Sequence, residues 1–111
     1  MDVKYCVIAI DGTDSSVVDL EDCEILGLII PTLVRANLTF KVSSAKAGTY
    51  VALKTKGAAA LSITATTGGF AVESDDLLGL KGYRFVKIVA DAAQTVTART
   101  FTWLLKKNWK R

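Results

Sequence analysis

The amino-acid sequence predicts an all-β domain, an antiparallel β-sandwich of jelly-roll-like order with about eight strands and one short helical turn. Apolar and polar residues alternate with a period of two along most of the chain, which is typical of half-buried strands. Turn-forming residues separate these segments at intervals of about 8–12 residues, the spacing expected of sandwiches and barrels. No long helical pattern alternates with the strands, so a parallel sheet is not expected.

Four extended segments are predicted in the first half of the chain. The third is apolar on both faces, as expected of a central strand, and it stops at Pro31, the only proline. The fourth alternates cleanly, with Leu38, Phe40 and Val42 facing inward. The four segments are residues 3–10, 17–20, 24–30 and 37–43.

The second half is predicted to contain five further extended segments and the single helical turn. Ser74 suits the N-cap of that turn, acidic residues follow it, and Gly79 ends it. In the last segment Phe101, Trp103 and Leu105 share one face, so Trp103 is expected in the core. The segments are residues 49–54, 61–66, 70–72, 83–89 and 95–105, with the helical turn at 74–80.

A length of 111 residues suits one domain, which we assign to residues 1–105, followed by a basic C-terminal tail at 106–111. The first residues lack the basic start and long apolar core of a signal peptide. No uncharged apolar stretch approaches the ~20 residues that a membrane helix needs. We therefore expect synthesis in a cytoplasm and no membrane partner.

The composition argues against most enzymes. Histidine is absent, which removes the side chain best suited to proton transfer near neutral pH and the commonest metal ligand. Walker and dinucleotide-binding fingerprints are absent as well. The segment from Asp11 to Asp14 faintly resembles a calcium loop but lacks its ligand spacing, so a turn is expected. We predict no catalytic residue, no metal site and no cofactor.

The two cysteines, Cys6 and Cys23, allow two interpretations. Both suit small reduced apolar residues, since free cysteine is often buried. A Cys6–Cys23 disulfide would instead require an oxidising compartment.

Charge is unevenly distributed along the chain. Residues 1–34 contain seven acids and one base, whereas residues 35–111 contain thirteen bases and four acids. This asymmetry predicts an acidic and a basic face, or head-to-tail contacts between copies, unless the fold interleaves the two signs in space. The basic tail suits either a nucleic acid or, as we prefer for so short a tail, an acidic protein surface. The candidate partner-binding residues are Asp14, Asp19, Glu21, Asp22, Glu24, Arg35, Lys106, Lys107, Trp109, Lys110 and Arg111.

The order of several short motifs resembles a family of small virion proteins of tailed bacteriophages. The motifs include VDL at 18–20, ILGLIIP at 25–31 and NLTFKVSS at 37–44, and the likeness continues through RTFTWL at 99–104. It covers about residues 17–105, and its specificity lies in the order of the fragments. The chain departs from the family pattern at the turn before Tyr50, where Lys46 replaces an acid, and in its longer basic tail.

This resemblance implies a structural protein of the virion. The interpretation we favour is a capsid decoration (cement) protein that binds and stabilises the shell of the major capsid protein. Such a protein would be a homo-oligomer, for example a trimer. A head-fibre or tail-associated module that binds carbohydrate is an alternative, with Tyr5, Tyr50, Tyr83 and Trp109 as candidate aromatic contacts. A head–tail joining or tail component is a further alternative.

Overall fold

A computed structural model of the chain describes residues 2–21, 23–33, 37–53, 62–64, 70–73, 80, 83–95 and 97–107. Within these ranges the chain forms ten strands and no helix that could cross a membrane. The strands are β1 (Asp2–Ile8), β2 (Gly12–Asp14), β3 (Val18–Asp19), β4 (Glu24–Ile30), β5 (Asn37–Ser43), β6 (Val51–Ala52), β7 (Ser62–Thr64), β8 (Phe70–Glu73), β9 (Phe85–Gln94) and β10 (Arg99–Lys106).

The strands form two antiparallel sheets. One sheet has four strands in the order β1-β10-β4-β8. In the other sheet, β9 and β5 are the central pair. Two short strands, β2 and β3, pair with the outer edge of β9. Two more, β6 and β7, pair with the outer edge of β5. Each sheet is therefore four strand positions wide.

The chain order through these positions is that of a jelly roll. We count β2 and β3 as one position, count β6 and β7 as another, and number the resulting eight positions in chain order. The first sheet then has the order 1-8-3-6, and the second has the order 2-7-4-5. Consecutive positions thus lie mostly in opposite sheets, as in two interlocked Greek keys. The predicted all-β, jelly-roll-like sandwich with about eight strands is confirmed.

The core lies between the two sheets and contains the inward residues of alternating strands. Phe101, Trp103 and Leu105 on β10 are fully buried, as are Leu38 and Phe40 on β5. The rings of Trp103 and Phe40 meet edge to face across the sheets with centroids 6.4 Å apart. Burying each of these large side chains contributes about 1.5–3 kcal/mol, so this layer holds the sheets together.

The first connection between the sheets follows β1. The Gly12 amide donates to the carbonyl of Ala9 at 2.9 Å, and Asp11 adopts a φ of 67°. Aspartate tolerates this left-handed conformation better than most residues. The turn expected from Asp11-Gly12 is thus confirmed, and it leads into a short strand, β2, that we did not predict.

The hairpin between β9 and β10 lies further along the chain than predicted. We expected β9 to end at residue 89, but it continues to Gln94, and β10 begins at Arg99 rather than at residue 95. Gly12 on β2 pairs with Gln94, and the Asp11 amide donates to the Gln94 carbonyl at 2.7 Å. These contacts hold weak strand formers in the sheet. The predicted helical turn at 74–80 lies outside the described residues except for Leu80.

Candidate functional site

The outer side of β1 carries large apolar side chains. Because side chains alternate along a strand, Cys6 and Ile8 enter the core while Val3, Tyr5 and Val7 face outward. Tyr5 is 61% exposed, the largest exposed fraction among the large apolar residues that the structure describes. An outer strand of this kind would ordinarily carry polar residues on its solvent side.

This apolar surface continues across the neighbouring strands. Val3 lies opposite Leu104 on β10, and Tyr5 lies opposite Thr102, which in turn lies opposite Ile29 on β4. Residues directly opposite in antiparallel strands have Cβ atoms about 4.5–5.5 Å apart, so their side chains touch. Ile29 is 43% exposed. We call the set Val3, Tyr5, Val7, Ile29 and Leu104 the outer apolar face.

The size of the outer apolar face distinguishes it from scattered surface residues. Val3, Tyr5, Val7 and Ile29 are each more than a third exposed, and Leu104, which is half-buried, lies among them. Contiguous exposed apolar side chains of this kind often mark interaction sites on soluble proteins. Tyr5 combines a large apolar ring with a polar hydroxyl, the type of side chain that often dominates binding energy.

Charged side chains bound this face at one end. Glu24 on β4 and Lys106 on β10 are cross-strand partners, and both are exposed. Between them and the apolar rows a register shift at Leu104/Leu105 leaves Leu26 as an extra, exposed residue of β4. Among the outward positions of β1, β10 and β4 that the structure describes, Glu24 and Lys106 are the only charged residues. On β8, the fourth strand of this sheet, Glu73 pairs with Gly27.

The outer face of the other sheet has a different character. Lys41 on β5 lies directly opposite Lys87 on β9, an arrangement that is unfavourable for two like charges. Lys41 Nζ lies 3.1 Å from a carboxylate oxygen of Asp14, and Lys87 Nζ lies 4.8 Å from the ring centroid of Tyr50. Each lysine thus has its own partner, and this side of the sandwich is polar.

Three of the predicted acidic site residues form ion pairs within the chain. Asp14 pairs with Lys41, and Glu21 pairs with Lys4. Asp19 accepts two hydrogen bonds from Arg84, at 2.8 and 3.0 Å, and the Arg84 guanidinium lowers the pKa of the Asp19 carboxyl. The charge signs that are segregated in the sequence are therefore interleaved in space. Head-to-tail contacts between copies would have to compete with these intrachain pairs.

The described part of the basic tail, Lys106 and Lys107, lies close to Glu21 and Glu24. Lys106 belongs to β10 beside Glu24. The pKa of Glu21 is lowered mainly by the hydrogen bond from Lys4, with a smaller contribution from the charge of Lys107. The structure thus brings Glu21, Glu24, Lys106 and Lys107 to one end of the sandwich. Asp22, Arg35, Trp109, Lys110 and Arg111 lie outside the described residues.

Both cysteines are free thiols. Cys6 is fully buried, and its Sγ accepts a hydrogen bond from Trp103 Nε1 at 3.3 Å. Burial raises the pKa of the Cys6 thiol, which favours the protonated and unreactive form. Cys23 is half-buried, and burial raises its pKa as well. Within the described ranges no group of three acidic or cysteine side chains is placed to hold a metal ion.

Comparisons with protein-family models, with curated proteins and with solved structures found no match.

Sequence reasoning did not identify the outer apolar face, although its signal was present. Residues 24–30 are apolar on both faces, and we interpreted this as burial on both sides of a central strand. β4 is indeed central, but Ile29 on its outer side remains exposed. Apolar residues on both faces of β1 and β4 indicated either full burial or an exposed binding face. Only the three-dimensional packing, in which the outer side of Tyr5 and Ile29 is exposed, distinguishes the two.

Proposed function

We propose that this chain is a non-enzymatic structural protein of a bacteriophage particle, a decoration (cement) protein that binds the protein shell. The outer apolar face is the surface through which it meets other protein. The observation that carries the proposal is that Tyr5 and Ile29, which are both exposed, are connected through the half-buried Thr102 across three strands on one side of the sandwich.

An apolar surface of this composition is suited to a protein partner. On β1, β10 and β4 its rows contain aliphatic side chains, threonines and one tyrosine, so burial there removes mainly apolar area from water at little desolvation cost. A nucleic acid would instead require a surface rich in bases. Three of the described basic residues, Lys4, Lys41 and Arg84, are each paired with an acid of the same chain.

The assignment to a phage particle is supported by the likeness of motif order over residues 17–105. Jelly rolls occur in capsid proteins but also in lectins, so the fold alone favours neither. A carbohydrate site would be supported by exposed aromatic rings on one surface. Among the described residues, Tyr5 and Tyr83 are exposed but are not on the same sheet, and the ring of Tyr50 is covered by Lys87.

The proposal is tested by incorporation into particles. Phage that carry the gene are grown with tagged wild-type protein or with Ile29→Lys, and purified particles are assayed for the tag. We expect incorporation of Ile29→Lys to fall at least about tenfold, since a charge in the centre of a buried contact is costly. Val51→Lys is the matched control, because Val51 is 58% exposed on the other sheet. Absence of the wild-type protein from purified particles would contradict the proposal.

A further inference from the structure

We propose that an extended segment of the shell protein adds to the outer edge of β1 as a further strand and forms backbone hydrogen bonds with Val3 and Tyr5. The proposal rests on the proposed function, in which the adjoining outer apolar face binds the shell, and it names how the partner is held. β1 is an outer strand of the four-stranded sheet, with β10 on its other side. Strand addition of this kind obtains affinity from the main chain and specificity from alternate side chains.

The direction of the backbone groups along β1 follows from the contacts of Val7. Its carbonyl accepts from the Ser16 amide at 2.9 Å and its amide donates to the Ser16 hydroxyl at 3.1 Å, so both groups point away from β10. Backbone groups alternate in direction along an antiparallel strand, and β1 pairs with β10 from Asp2 to Ile8 without a register shift. The amides and carbonyls of Val3 and Tyr5 therefore point away from β10 as well.

The edge of β1 is covered at one end and open at the other. After Ser16 the chain leaves this edge, because Val18 and Asp19 pair with β9 in the other sheet. The two amides and two carbonyls that Val3 and Tyr5 direct outward have no hydrogen-bond partner among the residues that the structure describes. Unpaired N–H and C=O groups in a row are a template on which another strand forms.

Lys4, which lies between these two residues, does not close the edge. Its side chain belongs to the inward row of Cys6, and it donates to the Asp19 carbonyl and to the Glu21 carboxylate of the same chain. The ammonium is thus held on the inner side of β1 rather than projecting beyond the edge. An inward charge on an edge strand does select against strands that would place an apolar or basic side chain opposite it.

The same charge makes a second copy of β1 a poor occupant of the edge. Antiparallel self-pairing that uses all four open backbone groups places Val3 opposite Tyr5 of the second copy. Lys4 then lies directly opposite Lys4 of the second copy, and like charges in that position are destabilising. A strand of a different protein, with a polar residue at the position opposite Lys4, avoids this repulsion.

The outer apolar face reaches this edge and favours the shell protein as the occupant. Tyr5, which is 61% exposed, and Val3, which is 43% exposed, both turn their side chains to the outer side of β1. A strand paired with β1 places every second side chain on that side, about 4.5–5.5 Å from the residue directly opposite. A shell segment with apolar residues at those positions extends the outer apolar face by one strand. The partner that covers the face is then held by the adjoining edge.

Amide hydrogen exchange, resolved to single residues by mass spectrometry, tests strand addition in the wild-type protein. The amide of Cys6 points toward β10 and is the reference within the same strand. In the free protein we expect the amides of Val3 and Tyr5 to exchange clearly faster than that of Cys6. In purified particles the exchange rates of these two amides should fall at least about tenfold, since a hydrogen-bonded amide exchanges only when its structure opens.

A proline substitution tests the same contact by incorporation into particles. Val3→Pro removes an outward amide without removing a bond to β10, and proline is tolerated on an edge strand whose N–H faces outward. Val3→Ala is the matched variant, because it also changes the side chain but keeps the amide. We expect incorporation of Val3→Pro to be at least about tenfold below that of Val3→Ala. Urea denaturation checks that both variants are folded, and exchange in the wild type decides the question if Val3→Pro is not.

Three results would overturn the proposal. One is protein in particles whose Tyr5 amide exchanges as fast as in the free protein. Another is a folded Val3→Pro that enters particles as readily as Val3→Ala. The third is protection of Tyr5 that rises with the concentration of the free protein, which would assign the edge to a second copy. Each of these leaves the proposed function intact, since Ile29→Lys tests the outer apolar face separately. Absence of the wild-type protein from particles would instead refute the proposed function, and with it the shell as the partner.

Discussion

The indole of Trp103 on β10 meets the ring of Phe40 on β5 edge to face, at an interplanar angle of 64°. Both side chains are fully buried, and they belong to different sheets. The same indole donates to the Cys6 thiol. Trp103 thus links the two layers and one edge strand.

We predict that Trp103→Ala lowers the free energy of unfolding by about 3–5 kcal/mol, because it removes the largest core side chain and leaves a cavity. Thr102→Ala, one residue away on the outer side of the same strand, should cost less than about 1 kcal/mol. Urea denaturation followed by circular dichroism measures both. Equal losses for the two variants would show that the sandwich interior is not organised around Trp103.

The buried thiol predicts a loss of stability at alkaline pH. Because burial raises the pKa of Cys6, the folded protein retains its proton above 9.0, where the unfolded chain releases it. The free energy of unfolding therefore decreases as the pH rises from 9.0 toward the folded pKa. Cys6→Ser should reduce this dependence, and Cys23→Ser should reduce it less, since Cys23 is only half-buried. The measurement is urea denaturation across the alkaline range; identical pH profiles for wild type and Cys6→Ser would contradict the prediction.

The pair between Asp19 and Arg84 predicts a stability difference at acid pH. Since Arg84 lowers the pKa of Asp19, the pair contributes fully above the ordinary aspartate value of 3.8 and its contribution is lost as the pH falls through the folded pKa. We expect Arg84→Met to be less stable than the wild type by about 0.5–1 kcal/mol at neutral pH, the scale of exposed pairs. The difference between the two proteins should shrink below pH 3.8. A difference that is constant with pH would assign the role of Arg84 to its contact with the Phe85 ring instead.

The outer apolar face should contribute to binding and little to folding. The double variant Tyr5→Thr with Ile29→Thr keeps β-forming residues on exposed positions, so we expect its free energy of unfolding to change by less than about 1 kcal/mol. Its fluorescence enhancement of an apolar dye should fall clearly below that of the wild type. A loss of stability above about 2 kcal/mol would indicate that these side chains belong to the core.

The inward residues of the strands could be predicted from the sequence, whereas the outer apolar face could not, and this difference has a physical cause. The period of two identified Leu38, Phe40 and Val42, and likewise Phe101, Trp103 and Leu105, as inward residues, and all six are buried. The outer apolar face was not predicted, because periodicity shows which residues share a face of a strand but not whether that face is covered. Two apolar faces on β4 were therefore interpreted as burial on both sides.

Sequence reasoning also missed strands whose pairing partners lie far away in the chain. Most residues of β2 and of the last five positions of β9 are weak strand formers. β2 pairs with β9 at Gly12↔Gln94 and Asp14↔Val89, across more than seventy residues of chain. The charges show the same limitation. Asp19 and Arg84 are 65 residues apart in the sequence, so their pairing could not be derived from the segregation of acids and bases.

We propose that the outer apolar face is covered by protein in the assembled particle. Hydroxyl-radical footprinting with mass spectrometry tests it without any substitution, by comparing Tyr5 and Tyr83 in the free protein and in purified particles. Tyr5 is 61% exposed on this face, and Tyr83 is 42% exposed elsewhere and serves as the internal reference. We predict that oxidation of Tyr5, relative to that of Tyr83, falls at least about fivefold on assembly, as expected for a residue in a dry interface core. A Tyr5 that is oxidised in particles as readily as in the free protein would contradict the claim.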